Sequence, residues 1–263
     1  MKTYRQCRNF NIVRKYSLNV CQEVESTKDL DWIAIFDSQQ PLVLKQIASS
    51  WPAVSFPDRR WDNIALLKSR ISPSIIVNVE MGNSYMDAKV KRVPIPLQQF
   101  LDLLIHEEAN PALLSELPKL YLAQNDLLCI PRLVDDIVTP SICKTGKGHL
   151  YSSQLWLNGI KGATSPCHQD PFNNILIQIY GHKRVLLFSP KDSSNLYPAL
   201  DTLQKNTSRV DFDNIDYDRN PLLKDATGFE AVLSPGDGIF VPFKWWHFCK
   251  SLSKSCSVNF WWL

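Results

Sequence analysis

Five short runs of β-branched and apolar residues crowd the second half of the chain: Gln154–Asn158, Asn174–Tyr180, Arg184–Phe188, Gly238–Pro242 and Ser255–Trp262. Runs of this length, parted by Gly, Pro, Asn, Asp and Ser, read as strands rather than helices. Several such strands at regular spacing predict two antiparallel sheets packed as a jelly roll. The Gly181-His182 pair between two of the runs predicts a tight hairpin. Between Asp192 and Asp225 lies a long polar connection, rich in Asn and Asp, joining strands that must be neighbours. Insertions of that size in a compact domain are usually functional or partly helical.

The first half mixes elements. Leu30–Phe36 reads as a short helix, Pro41–Lys45 as a buried strand, and Trp61–Arg70 as a helix capped by Asp62. Ile75–Glu80 reads as a strand, Leu97–His106 repeats at helical spacing, and Leu120–Gln124 is a further strand. The helices are expected to pack outside one sheet and cover its apolar face. With no internal repeat and no Gly/Ser-rich linker, the expectation is one domain over residues 1–263, helix-rich through 1–130 and built on core strands from 151 to 263.

Composition removes some partners. Lys+Arg 29 against Asp+Glu 26 leaves a net charge of only +3, too small to imply a nucleic-acid or membrane-surface partner by charge alone, with a local basic groove still open. No window approaches the roughly 18 apolar residues of a spanning helix, so no membrane partner is expected. The seven cysteines are odd in number and scattered, with no C-x-x-C pair, which fits a reducing nuclear or cytoplasmic setting. Lys2, Arg5, Arg8, Arg14 and Lys15 precede the first acidic residue, Glu23, and read as a short basic tail leading into the first strand.

Within Ser165–Lys183 one pattern carries chemistry. His168 and Asp170 are two apart, and on an extended strand such residues project to one face, so together they can grip a cation. A third ligand must come from elsewhere, and His247 is the best candidate, on a strand expected to face the first across a barrel mouth. Two His and a carboxylate form the facial set that leaves three positions open on non-haem Fe(II), as O2 chemistry requires. A lone H-x-D is weak, and each His alone also reads as a satisfied core residue. Lys183 opens an otherwise apolar strand, a costly place for a cation unless it meets an anion or reaches solvent. Ser165, Asn174 and Tyr121 are polar groups on barrel-type strands. Cys167, beside a ligand, is expected to face the core, and His106, His149 and His182 the surface. The Trp245-Trp246 and Trp261-Trp262 pairs alternate faces, so one Trp of each is expected in the core and the other to line the cavity or support it.

Taken together, Ser165-Pro-Cys-His168-Gln-Asp170-Pro, Asn174, Gly181-His-Lys183, the turn Ser234–Asp237, Trp246-His247 and Val258-Asn-Phe-Trp-Trp resemble the JmjC family of Fe(II)- and 2-oxoglutarate-dependent oxygenases. Pro41–Lys45, Trp51-Pro and Tyr121-Leu-Ala-Gln are similar to that family's N-terminal part. The resemblance implies a mainly β fold with flanking helices, the double-stranded β-helix of cupins, with Fe(II), 2-oxoglutarate and O2 as cofactor and co-substrates. It implies iron at His168, Asp170 and His247, and the distal carboxylate of 2-oxoglutarate at Lys183 among Tyr121, Ser165 and Asn174. The His-Gln-Asp-Pro form is most similar to a small-hydroxylase branch acting on protein arginine. That branch implies a protein or peptide substrate with a basic side chain, met by Glu80, Trp156 and Trp261. Histone lysine demethylation remains open as an alternative. A modified tRNA base is disfavoured by the near-neutral charge, and a non-catalytic binding module by the intact ligands and Lys183. The chain ends at Leu263 without the C-terminal helices through which relatives dimerise, so a monomer is expected.

Overall fold

The computed structural model describes residues 17–26, 29–82, 91–110, 119–159, 162–201 and 204–263. In chain order the strands are β1 (Ser17–Val20), β2 (Glu23–Glu25), β3 (Leu42–Lys45), β4 (Ile76–Met81), β5 (Lys91–Pro96), β6 (Leu120–Asp126) and β7 (Leu150–Asn158). They continue as β8 (Thr164–Gln169), β9 (Asn173–Tyr180), β10 (Lys183–Phe188), β11 (Thr227–Leu233), β12 (Gly238–Val241), β13 (Trp246–Ser251) and β14 (Ser255–Trp262). The α-helices are α1 (Trp32–Ser38), α2 (Pro52–Ser55), α3 (Ile64–Arg70), α4 (Leu97–Ala109) and α5 (Pro131–Val134).

These strands form the two sheets of a jelly roll. One has five strands in the order β1-β11-β10-β13-β8, the other nine in the order β2-β3-β12-β9-β14-β7-β6-β4-β5. Between them Val43, Leu176, Ile239 and Val241 of the large sheet pack with Val185, Leu187, Leu233 and Cys249 of the small one. The outer face of the large sheet is covered by helices, as the amphipathic spacing requires. Ile64 and Leu67 of α3 and Leu97, Phe100, Leu101 and Leu104 of α4 bury against Ile175, Ile177, Ile179, Val258, Phe260 and Trp262. Strand alternation then sends Asn174 and Leu176 of β9, and Asn259 and Trp261 of β14, into the space between the sheets. No described helix is long and apolar enough to cross a membrane.

Two local expectations are corrected. The cap of α3 is Asn63, whose side chain accepts from the Leu66 amide at 3.0 Å. Asp62 stands one residue too early and instead pairs with Arg60 at 3.0 Å. Gly181-His182 is not a hairpin, because β9 lies in the nine-stranded sheet and β10 in the five-stranded one. The two residues carry the chain across the edge of the sandwich. Gly181 has φ of 71°, and a Cβ there would sit 2.0 Å from the Lys254 carbonyl oxygen, so the crossing needs glycine. Trp245 and Trp246 alternate faces as expected, Trp246 in a cluster on the outer face of the small sheet and Trp245 in the inter-sheet cluster with the cleft residues Leu176, Val185, Val241 and Cys249. The pair at the C-terminus also divides as expected, with Trp262 in the helix-covered core and Trp261 in the cleft.

The long connection joins antiparallel neighbours β10 and β11 and contains two 3-10 helices, Pro190–Leu196 and Pro221–Asp225. Its middle runs along the free edge of β8, where the Gln169 amide donates to Asn206 and the Ser208 amide to Cys167.

Candidate active site

A cleft of about 440 Å³ opens between the two sheets. The small sheet contributes Ser165 and His168 from β8, Lys183 from β10, and His247 and Cys249 from β13. Asp170, just past β8, completes that wall. The large sheet contributes Tyr121, Trp156, Asn174, Asn259 and Trp261.

His168 and His247 do not face each other across a mouth. They are direct cross-strand partners on β8 and β13, in one sheet. Opposed residues on antiparallel neighbours stand side by side, and the two imidazole centroids are 4.3 Å apart. Asp170 lies one residue beyond the strand, yet its carbonyl accepts from the Lys244 amide at 3.1 Å, so the extended course continues and its side chain stays on the His168 face. His168 Nε2 is 3.8 Å from Asp170 Oδ1 and His247 Nε2 is 3.6 Å from Asp170 Oδ2. One ligand atom from each of the three lies within 4.8 Å of the others, a group that can hold a metal ion.

The orientation of each donor is fixed from behind. His168 Nδ1 sits 2.7 Å from the Pro166 carbonyl oxygen and His247 Nδ1 3.0 Å from that of Trp245. A carbonyl only accepts, so each Nδ1 carries a proton and each Nε2 is the ring nitrogen turned toward Asp170. Burial, and after it the neighbouring His168, pushes His247 down to about 4, so its ring is neutral at ordinary pH. The Trp261 indole donates to Asp170 Oδ2 at 3.0 Å and holds the carboxylate. Two imidazoles and one oriented carboxylate on a single wall are the donor set that non-haem Fe(II) takes.

Ser165 and His168 are three apart, an odd spacing that should put them on opposite faces. They share a face because β8 is bulged: the register moves from His247↔His168 to Cys249↔Ser165, two steps on β13 against three on β8. The extra residue falls at Pro166-Cys167, where proline has no amide to give to the ladder. Cys167 turns to the opposite side and packs with Phe188, Trp246 and Phe248.

Lys183 is 3% exposed, and among the described residues no carboxylate pairs with it. Burial lowers its ammonium below the ordinary lysine value. Its charged neighbours in principle are Cys249 and Cys256, but burial pushes the Cys249 thiol up to about 11 and the Cys256 thiol higher still. Neutral thiols cannot compensate an ammonium, so among the described residues this buried cation has no charged group to offset it. Around it stand hydrogen-bonding groups. Burial raises the Tyr121 phenol, which bonds the Ser165 side chain. Asn259 donates to Asn174 Oδ1 at 3.1 Å and accepts from the Trp156 indole at 2.6 Å.

Outside this cleft a wider recess of about 750 Å³ reaches the surface, lined by Glu80, Arg92, Trp156, Trp261 and the connection residues Asn206 and Thr207. The structure brings together the ten candidate site residues of the sequence, nine of them lining the cleft, Trp156 and Trp261 shared with the recess, and Glu80 in the recess alone. Cys249 and Asn259 were not among them. Each stands two residues from one that was, His247 and Trp261, and alternation alone places them on the same face. Arg92 carried no signal in the sequence. His106, His149 and His182 are exposed and take no part.

Residues 32–263 match the family model described as a cupin-like domain. The chain is 36% identical to JmjC domain-containing protein D of Dictyostelium discoideum over 83% of its length and 50% of that protein's. It is 35% identical to Lysine-specific demethylase 8 of Danio rerio, over 86% of this chain and 54% of the other. With Jumonji C domain-containing protein 5 of Drosophila melanogaster the identity is 32% over 86% and 55%. The chain spans about half the length of the curated relatives it matches.

Proposed function

The chain belongs to the JmjC family of cupin-like proteins, and on that premise we propose that it is an Fe(II)- and 2-oxoglutarate-dependent dioxygenase hydroxylating a protein side chain, arginine first and lysine second. The observation that carries this reading is the pairing, in one cleft, of the His168–Asp170–His247 group with the buried cation Lys183, which meets no carboxylate among the described residues. Iron, when bound, supplies the oxidative chemistry, spending dioxygen and 2-oxoglutarate to oxidise a C–H bond.

The chain's own residues do the rest. His168, Asp170 and His247 hold the metal from one wall and leave its other side to the cleft. Lys183 neutralises the distal carboxylate of the co-substrate, and Tyr121, Ser165 and Asn174 bond around it. Trp156 and Trp261 wall the passage between the cleft and the outer recess and limit water there. Glu80, buried at the recess, offers a carboxylate to a cationic side chain. Trp261 has a second task, holding Asp170. Trp261→Phe keeps the ring and removes only the indole donor, and it is expected to weaken metal binding by roughly 10- to 100-fold, measured by Mn(II) titration under electron paramagnetic resonance. Unchanged affinity would remove Trp261 from the metal's support.

A second reading is favoured by the names of relatives such as Lysine-specific demethylase 8 of Danio rerio. Hydroxylation at an N-methyl carbon gives a hemiaminal that collapses to formaldehyde and the demethylated amine, so the same cleft serves both reactions. Mass spectrometry separates them. The protein is incubated with Fe(II), 2-oxoglutarate and peptides carrying arginine, lysine or methyl-lysine. One added oxygen on arginine or lysine is the expected product, loss of a methyl group with formaldehyde is the alternative, and neither product on any peptide sinks both.

A further inference from the structure

We propose that Arg92 is a built-in competitor for the substrate's cation, occupying Glu80 until a positively charged side chain displaces it. This rests on the reading of Glu80 as the acidic group that meets a basic substrate. Glu80 and Arg92 are directly opposed on the antiparallel neighbours β4 and β5. Arg92 Nη2 donates to Glu80 Oε1 at 2.7 Å and Nε to the same oxygen at 3.0 Å. The two ends of the pair differ sharply in setting, since the Glu80 side chain is 5% exposed and that of Arg92 59%. A guanidinium from the rim thus leans inward over a buried carboxylate.

Both donors converge on one carboxylate oxygen. A guanidinium bonds a carboxylate best as a fork, with two parallel N–H groups to two oxygens, and Arg92 does not use that arrangement. An ion pair whose cationic half is largely in solvent is cheap to open. The buried carboxylate, by contrast, must keep some cation once it is dry. A substrate guanidinium entering from the recess, which Glu80 and Arg92 line together with His168, Asp170, Trp156 and Trp261, meets that need and brings its side chain beside the metal ligands. The exchange of one cation for another selects against neutral side chains, which cannot replace Arg92 without leaving Glu80 uncompensated.

The test uses the full chain and two probes, acetyl-Gly-Arg-Gly-amide and its citrulline counterpart, titrated calorimetrically into wild type, Arg92→Ala and Arg92→Gln. Both variants are expected to bind the arginine peptide about threefold to tenfold tighter than wild type, with the citrulline peptide no better. With turnover, KM for the arginine peptide should fall by the same factor while kcat moves little. If wild type prefers arginine over citrulline but the variants bind it equally or more weakly, Arg92 supports the site and the competitor assignment is wrong, leaving the hydroxylase reading intact. If the variants lose a cooperative melting transition, the pair is structural and the assignment again fails. If no variant prefers arginine to citrulline, Glu80 is not the cation site and both readings fall.

Discussion

In His168→Ala, succinate release from 2-oxoglutarate is expected to disappear and metal affinity to fall by more than about a hundredfold. Loss of a group that merely orients a ligand costs 10- to 100-fold, and removing the ligand itself costs more. The two ligands that remain, His247 and Asp170, cannot hold the facial geometry. The structure also limits collateral damage. His168 is part-buried on a strand whose outward neighbour Cys167 and inward neighbour Ser165 are both untouched, so the thermal transition should survive. His106→Ala, an exposed imidazole on α4, serves as the control and should behave as wild type. Bound metal is measured by Mn(II) titration and turnover by succinate. Persistence of substrate-dependent succinate formation in His168→Ala would remove that residue from the metal site.

That His168 and Asp170 share a face was readable in the sequence because it depends on short-range geometry. Strand alternation puts His168 with Asp170, and Asn259 with Trp261, whatever the sheets do. The pairing of β8 with β13 is a long-range fact, set by which strand edges meet, and the sequence offers only the expectation that both reach the cleft. Hence His247 was identified while its position beside His168, in one sheet, was not. Ser165 shows the limit most clearly. Parity places it opposite His168, and only the bulge at Pro166-Cys167 reverses that, a feature that proline permits but does not dictate. The β9 to β10 crossing failed for a related reason. Gly-His between two strands suits a hairpin and a sandwich edge equally, and the choice is made by the Lys254 carbonyl packed against Gly181. Arg92 was invisible because an exposed arginine on an edge strand is common, and its meaning comes only from the carboxylate opposite.

Lys183→Met is expected to raise the 2-oxoglutarate concentration for half-maximal turnover by at least about 30-fold, since truncating one partner of a buried charge pair costs roughly 2–5 kcal/mol. The same change should stabilise the ligand-free protein. Lys183 is buried without a carboxylate among the described residues, so the native state bears an uncompensated ammonium that methionine, close in volume and apolar, removes. Its lowered native value fixes the sign with pH. Between that value and the ordinary 10.5, the unfolded chain holds the Lys183 proton more often than the native one does, so this residue's contribution to stability rises as pH rises through that window. Buried thiols and phenols raised by burial act oppositely, because the native state keeps their protons longer. The quantity to follow is therefore the difference in melting temperature between Lys183→Met and wild type, without ligand, against pH. It should favour the variant most near neutrality and shrink on the alkaline side. Adding 2-oxoglutarate should raise the melting temperature of wild type far more than that of the variant. A variant that melts lower than ligand-free wild type at neutral pH, or that responds equally to 2-oxoglutarate, would mean that Lys183 already has its anion and is not the co-substrate's anchor.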